Sequence, residues 1–282
     1  MKVFLADVLG YCMGVRRAMD CANKALCDNS DKRVYSLGPL IHNRVALEGL
    51  QNKGMTVLDE ENIDSINEES IIVIRAHGVA PSVSNKLISK NLNVVNATCP
   101  KVTASQRNAE KYAKHGYLVL LVGDKNHGEV TSIAGYAGTS FKLIENIQEA
   151  KSLKIDYNQK AVLLCQTTYN AEDFLSIAEE IKKKVRDLKI LNTICSATKE
   201  RQEALKKLCP DVDGVIVVGG KNSANTKRLY QIAQENCKRA ALIETWQEIP
   251  EDFYNLEKVG ITAGASTPDE VIMEVKEKLE TR

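Results

Sequence analysis

The sequence predicts an α/β protein built from three related lobes with mainly parallel sheets. Three observations predict it. Short β-branched runs alternate with amphipathic stretches along the chain, the pattern of parallel sheets flanked by helices. A shift of 96 residues, without a gap, lays Asn96-Ala97-Thr98-Cys99 on Asn192-Thr193-Ile194-Cys195, and Gly123-Asp124-Lys125-Asn126-His127 on Gly219-Gly220-Lys221-Asn222-Ser223. The N-terminal third repeats the plan more faintly: a strand leads to Cys12, a helix follows, and a further strand leads to Gly38-Pro39-Leu40-Ile41-His42. The lobes are expected at 1–97, 98–193 and 194–282.

In chain order, the β-branched runs Val3–Ala6, Ile71–Ile74, Leu118–Val122, Val162–Cys165, Val215–Val218 and Val259–Thr262 are candidate strands. Helical periodicity covers Val15–Leu26, Val102–Lys114, Ala171–Lys184, Lys199–Leu208 and Asp269–Glu280. Pro100 suits the first turn of the second of these helices. The last is the best marked: Thr267 can cap it, Pro268 fits its first position, and Glu270 completes a capping box.

The bulk properties narrow the function. At 282 residues the chain is long enough for two or three compact lobes, and 44% hydrophobic with 27% charged content is globular. The net charge of +1, from 38 basic and 37 acidic residues, argues against nucleic acid or a membrane surface as partner. There is no run long and apolar enough for a membrane span, and Met1–Ala6 reads as a strand and not a secretory leader, so the expected compartment is the cytoplasm. Eight cysteines there are not expected to form a disulfide framework. Neither GxxxxGK[ST] nor GxGxxG is present, so ATP and NAD are not expected.

Cys12, Cys99 and Cys195 each lie between a strand and a helix start, where the helix dipole favours the thiolate that binds metal. For one such cysteine, a buried thiol at a turn is an adequate account; equivalence across three repeats favours a shared role. Structural zinc normally takes four ligands in paired motifs, and none is seen. An iron–sulfur cubane on three cysteines would leave one iron open to substrate. Cys21, Cys27, Cys165, Cys209 and Cys237 have no repeat partners and read as structural, with Cys165 the nearest to the expected site.

Ligand groups in parallel sheets gather beyond the carboxyl ends of the strands. Three of the four histidines, His42, His77 and His127, fall at such ends, where imidazole can hold phosphate oxygens or move protons. His115 lies in a helix-to-strand turn and reads as structural. Ser223, Asn225 and Ser266 occupy matching ends of the third lobe, as neutral donors or as caps. Glu129 is the best acid candidate, two residues past His127. Thr167 and Thr168 could orient a substrate hydroxyl or satisfy a strand end.

Eight ordered motifs carry a family resemblance over nearly the whole chain. They are Gly10-Tyr11-Cys12-Met13-Gly14-Val15-Arg16-Arg17-Ala18, His42-Asn43-Arg44, Ala76-His77-Gly78-Val79, Ala97-Thr98-Cys99-Pro100, His127-Gly128-Glu129-Val130, Gln166-Thr167-Thr168, Gly220-Lys221-Asn222-Ser223-Ala224-Asn225 and Thr262-Ala263-Gly264-Ala265-Ser266. With these the sequence resembles the 4-hydroxy-3-methylbut-2-enyl diphosphate reductase (IspH/LytB) family, which ends the methylerythritol phosphate route to isoprenoids. The resemblance implies a pseudo-threefold trefoil around a 4Fe–4S cluster held by Cys12, Cys99 and Cys195. It implies that His42, His77, His127, Ser223, Asn225 and Ser266 hold the diphosphate, and that Glu129, with Thr167, relays protons. It implies an electron donor of the ferredoxin or flavodoxin class. Two positions depart from the family pattern. Ala224 stands where serine is common, so one hydroxyl contact to the diphosphate is missing or replaced by backbone, and Gly128 stands where proline is common, in the loop carrying Glu129.

Overall fold

The computed structural model describes Met1–Thr281. The elements in chain order are β1 (Lys2–Leu5), α1 (Met13–Asp28), β2 (Val34–Leu37), α2 (Arg44–Asn52), β3 (Met55–Leu58), β4 (Ile71–Ile74), α3 (Pro81–Ser89), β5 (Asn93–Asn96), α4 (Pro100–Lys114), β6 (Leu118–Val122) and α5 (Gly128–Ala137). They continue with β7 (Phe141–Ile144), α6 (Ile147–Ser152), β8 (Ala161–Cys165), α7 (Ala171–Lys182), β9 (Leu188–Ile190), α8 (Ser196–Leu208), β10 (Gly214–Val218), α9 (Ala224–Asn236), β11 (Ala240–Ile243), β12 (Lys258–Ala263) and α10 (Asp269–Thr281).

The strands form three four-stranded sheets, ordered β3-β2-β4-β5, β7-β6-β8-β9 and β11-β10-β12-β1, and every pairing is parallel. The three orders are one topology, because in each the second strand of the lobe lies outside the first and the third and fourth follow on the other side. The strand expected at the head of the first lobe is the exception to chain order. β1 pairs with β12, Val3 opposite Val259, and so closes the sheet of the C-terminal lobe. No strand follows β12 among the described residues, so the N-terminal strand takes the fourth position that β5 and β9 take elsewhere.

Helices cover both faces of the central strands, which is why β4, β8 and β10 are buried at every residue and read as unbroken apolar runs. Two compact units result. One contains Met1–Met19, Ile41–Gly54 and Ser196 onward, with the β10–β12 sheet and β1; the other contains Asp20–Leu40 and Met55–Cys195, with the remaining two sheets. In the first unit, Ile216, Val218, Ile261 and Val275 pack on one side of the sheet, and Leu205, Val215, Val217 and Leu229 on the other. In the second, Leu120, Leu163 and Phe174 form one layer, Val119, Leu121 and Ile133 another, and Leu37, Ile72 and Leu87 the core of the remaining lobe.

Cys209 and Cys237 correct the expectation of thiols throughout, because they are joined as a disulfide. Cys209 follows α8 and Cys237 follows α9; these packed helices bring the two Cα atoms to 5.2 Å, within disulfide reach. The remaining six cysteines are free. Thr267 donates its hydroxyl to the Val218 carbonyl at 2.9 Å, tying the start of α10 to β10. Among the described residues, no helix is long and apolar enough to cross a membrane.

Candidate functional site

The three repeat-related cysteines share one backbone setting. Each N–H donates to the carbonyl of a residue just past the third strand of a sheet: Cys12 to Ala265 (3.1 Å), Cys99 to Ala76 (2.9 Å) and Cys195 to Thr167 (2.8 Å). Each then leads into a helix, α1, α4 or α8, with Cys99 as the N-cap of α4 and Pro100 in its first turn. An Asx turn precedes two of them, from Asn96 to the Thr98 N–H and from Asn192 to the Ile194 N–H. The Cys12 sulfur also accepts from the Val15 N–H at 3.5 Å. The three are free, partly exposed thiols at helix starts, each a soft donor of the kind that holds an iron–sulfur cluster. Cys165, by contrast, is fully buried in β8, and burial foremost pushes its thiol up, with Glu129 and Asp124 adding to the effect.

The first unit carries His42, Ser223, Ala224, Asn225 and Ser266 as well as Cys12. Ser223 is the N-cap of α9: its Oγ accepts the Thr226 N–H at 3.3 Å, leaving its own proton to donate outward. Ala224 and Asn225 follow in the first turn, where backbone N–H groups lack intrahelical acceptors. Asn225 is 4% exposed, and neither atom of its amide has a partner among the described residues. An orphaned amide of this kind is costly, and a ligand with oxygen acceptors would satisfy its NH2 group. Ser266 donates to the His42 carbonyl at 3.1 Å. The same carbonyl lies 2.5 Å from where a Cβ on Gly220 would stand, so that position accepts no side chain. Near Cys12, the Tyr11 phenol is pushed up to about 12, by burial first and then by Glu270 and Asp269, and stays protonated.

The second unit carries His77, His127, Glu129, Thr167 and Thr168 with Cys99 and Cys195. His127 is the N-cap of α5, and its Nδ1 accepts the Glu129 N–H at 3.2 Å. That bond assigns the neutral tautomer with the proton on Nε2, as a donor. The ring meets His77 edge-on, with centroids 5.2 Å apart. Glu129 is 1% exposed; its two oxygens accept the Thr167 N–H (2.8 Å) and hydroxyl (2.7 Å). Burial raises its carboxyl to about 7, a shift that the two Thr167 bonds oppose without cancelling. Gly128 and Glu129 stand in the first turn of α5 and not in the loop expected there, and the two Thr167 bonds fix that turn.

Thr168 accepts from Gln166 Nε2 at 2.9 Å, and Gln166 also exchanges bonds with Asp124, receiving its N–H at 2.8 Å and donating to its carboxylate at 3.2 Å. Gln166 is fully buried and joins the two strand ends that carry His127 and Thr167, a role sequence reasoning did not assign. Its signal was its place in the Gln166-Thr167-Thr168 run. Arg75 was passed over as well: it reaches Glu60 at 3.1 Å and the Gly78 carbonyl at 3.4 Å, bracing the loop of His77. His115 ends α4 with Nδ1 2.6 Å from the Lys111 carbonyl, the structural role expected of it.

A family model described as LytB protein matches residues 3–280. A 4-hydroxy-3-methylbut-2-enyl diphosphate reductase of Treponema denticola is 46% identical, with 99% of each chain covered. The solved E-1-hydroxy-2-methyl-but-2-enyl-4-diphosphate reductase of Plasmodium falciparum superposes with a TM-score of 0.92 at 28% identity, covering 98% of this chain and 87% of that one. A solved (E)-4-hydroxy-3-methyl-but-2-enyl diphosphate reductase, described as the terminal enzyme of the non-mevalonate pathway, superposes at 0.76 with 38% identity and full coverage of both.

Proposed function

The chain belongs to the LytB protein family, and on that premise we propose that it reduces (E)-4-hydroxy-3-methylbut-2-enyl diphosphate to isopentenyl and dimethylallyl diphosphates. The reaction adds two electrons and two protons, breaks the C–O bond and releases the hydroxyl as water. The observation that carries the reading is Glu129: a buried carboxyl near neutral pKa, bonded twice to Thr167 and placed beside the capping His127.

Cys12, Cys99 and Cys195 would hold a 4Fe–4S cluster, one from each of the lobes 1–97, 98–193 and 194–282. When bound, the cluster supplies the electrons and, with three cysteine ligands, an iron open to the substrate. The chain's own groups do the rest. His127 and His77 offer ring donors to the diphosphate, joined by His42, the outward proton of Ser223, the backbone at Ala224, the amide of Asn225, and Ser266 once its hydroxyl turns from the His42 carbonyl. A small neutral donor set with helix N-termini suits a diphosphate on a chain with almost no net charge. Glu129 delivers a proton to the leaving hydroxyl; hydroxide is a poor leaving group, so this step needs an acid protonated near neutral pH. Thr167 orients that carboxyl and Thr168 lies next to it on the same strand end. The donor would be a ferredoxin or flavodoxin, on the strength of the family resemblance, and the compartment the cytoplasm.

The test is iron, acid-labile sulfide and substrate turnover on anaerobically prepared protein. About four irons per chain are expected, lost in Cys12→Ser, Cys99→Ser and Cys195→Ser but kept in Cys27→Ser. Zinc without sulfide, or a loaded protein inert toward the substrate, would overturn the assignment.

A further inference from the structure

The loops that present His127 and Ser223 are built alike down to a carboxylate that no motif includes. After β6, the Gly123 N–H donates to the carbonyl of Ile144, the last residue of β7 (3.1 Å); after β10, the Gly219 N–H donates to Ile243, the last residue of β11 (2.9 Å). A four-residue turn follows in each. His127 N–H closes on the Asp124 carbonyl at 3.1 Å, and Ser223 N–H closes on the Gly220 carbonyl at 3.0 Å. The second residue of each turn points its N–H at the carboxylate just past the neighbouring strand: Lys125 at Glu145 Oε1 (2.8 Å) and Lys221 at Glu244 Oε1 (2.9 Å). Each glutamate is itself held, its own N–H donating to the carboxylate four residues on, Glu149 (2.8 Å) or Glu248 (3.3 Å).

The fourth residue of each turn caps the next helix with its side chain, through His127 Nδ1 or Ser223 Oγ. The direction of that side chain is therefore set by the turn, and the turn by the carboxylate behind it. Glu244 does more, because its second oxygen accepts from Arg44 Nε at 3.0 Å, two residues past His42. One carboxylate thus ties the loop of Ser223 and Asn225 to the loop of His42. The first lobe lacks the device: Gly38 N–H still meets Leu58 at 2.8 Å, but Asp59 follows, the loop to its helix cap is longer, and that cap is Asn43. A repeated bond at two equivalent loops, absent where the loop length differs, belongs to the turn and not to general surface charge.

The geometry points to Glu145 and Glu244 as positioning residues for the diphosphate, each locking from behind the turn that aims a phosphate donor. The inference rests on the diphosphate reading of the same loops. A charge-assisted bond to a backbone N–H is among the stronger ones, so its loss lets the turn relax. Removing either carboxylate then weakens the hold on phosphate while leaving the proton-delivering Glu129–Thr167 pair in place.

The experiment uses the full, cluster-loaded chain with Glu145→Ala, Glu244→Ala and the corresponding Gln variants, which keep an acceptor oxygen. KM and kcat are measured with substrate and excess low-potential reductant, and Kd is measured calorimetrically for inorganic pyrophosphate. Each Ala variant is expected to raise KM and the pyrophosphate Kd about tenfold, which is about 1.4 kcal/mol, with kcat within about twofold. The Gln variants should fall between these and the parent. A pyrophosphate Kd unchanged in both Ala variants, or a fall in kcat with KM and Kd unchanged, would overturn the proposal. Should an Ala variant fail to fold, the Gln variant decides by the same two readings. A parent that binds pyrophosphate but does not turn over substrate defeats the reductase reading, and the Kd comparison still decides the positioning role. A parent that binds no pyrophosphate defeats both.

Discussion

Replacing Glu129 by Gln tests the site at its acid. The carboxyl is 1% exposed, and both oxygens accept from Thr167, at 2.8 and 2.7 Å. The Thr167 N–H can only donate, so the amide oxygen of Gln must face it, and the amide nitrogen then meets the hydroxyl and forces it to turn. Volume is kept, the cluster ligands are untouched, and the transferable proton is gone. General acid catalysis is worth about 10²–10⁴-fold, and kcat is expected to fall by that factor at unchanged iron and sulfide content. The parent should lose kcat as pH rises through about 7, where Glu129 ionises, and the variant should not. Stability gives an independent reading. The folded-state value of about 7 lies above the ordinary 4.5, so the folded protein keeps a proton that the unfolded chain releases. The resulting stability is fully present below about 4.5 and is lost as pH rises to about 7, by on the order of 3 kcal/mol for a fully buried group. Chemical denaturation across that window should show the loss in the parent and a flatter line in the variant. A variant that keeps kcat within about threefold would refute the proton-delivery reasoning, because Glu129 is the only buried carboxyl among the described residues.

Asn225→Leu removes an amide whose two buried polar atoms lack partners among the described residues, at a relief of about 1–3 kcal/mol. Its thermal midpoint should rise by a few degrees while KM rises at least about tenfold; a lower midpoint would show that the amide is satisfied. His127→Asn keeps an N-cap acceptor but loses the Nε2 donor, whereas His127→Ala loses both. Pyrophosphate affinity should drop in each, but only the Ala variant should lose about 1 kcal/mol of stability by denaturant titration. Gly78→Ala places a Cβ 2.4 Å from Gln106 Nε2 and 3.0 Å from Ser132 Oγ at a φ of 71°. Those side chains share a 2.6 Å bond, and Ser132 holds the Val79 carbonyl at 3.1 Å, so about 2–4 kcal/mol of stability should be lost. An unchanged denaturation midpoint would show that the His77 loop moves without cost.

Much of this protein was legible in its residues. The central strands announce themselves because helices cover both faces, and runs such as Leu118–Val122 and Gly214–Val218 must be apolar throughout. The cysteine positions, the His and Ser strand ends and the gapless offset of 96 residues follow from sequence alone, because a repeated supersecondary unit repeats its turn chemistry. Outer strands carry weaker marks: β5 and β9 are partly or largely exposed, lean on one neighbour, and were not among the expected strands, whereas the apolar run of β1 was read as a strand from the sequence. Only the tertiary structure decided that β1 completes the last sheet and not the first, since pairing is a long-range choice that chain order does not encode. Only it could join Cys209 to Cys237, bury Glu129 against Thr167, or set Glu145 and Glu244 behind their turns. Each of those depends on the distance between residues far apart in the chain. A side chain's type can be read in one dimension, but its burial, its partner and hence its pKa exist only once the sheets have been assembled.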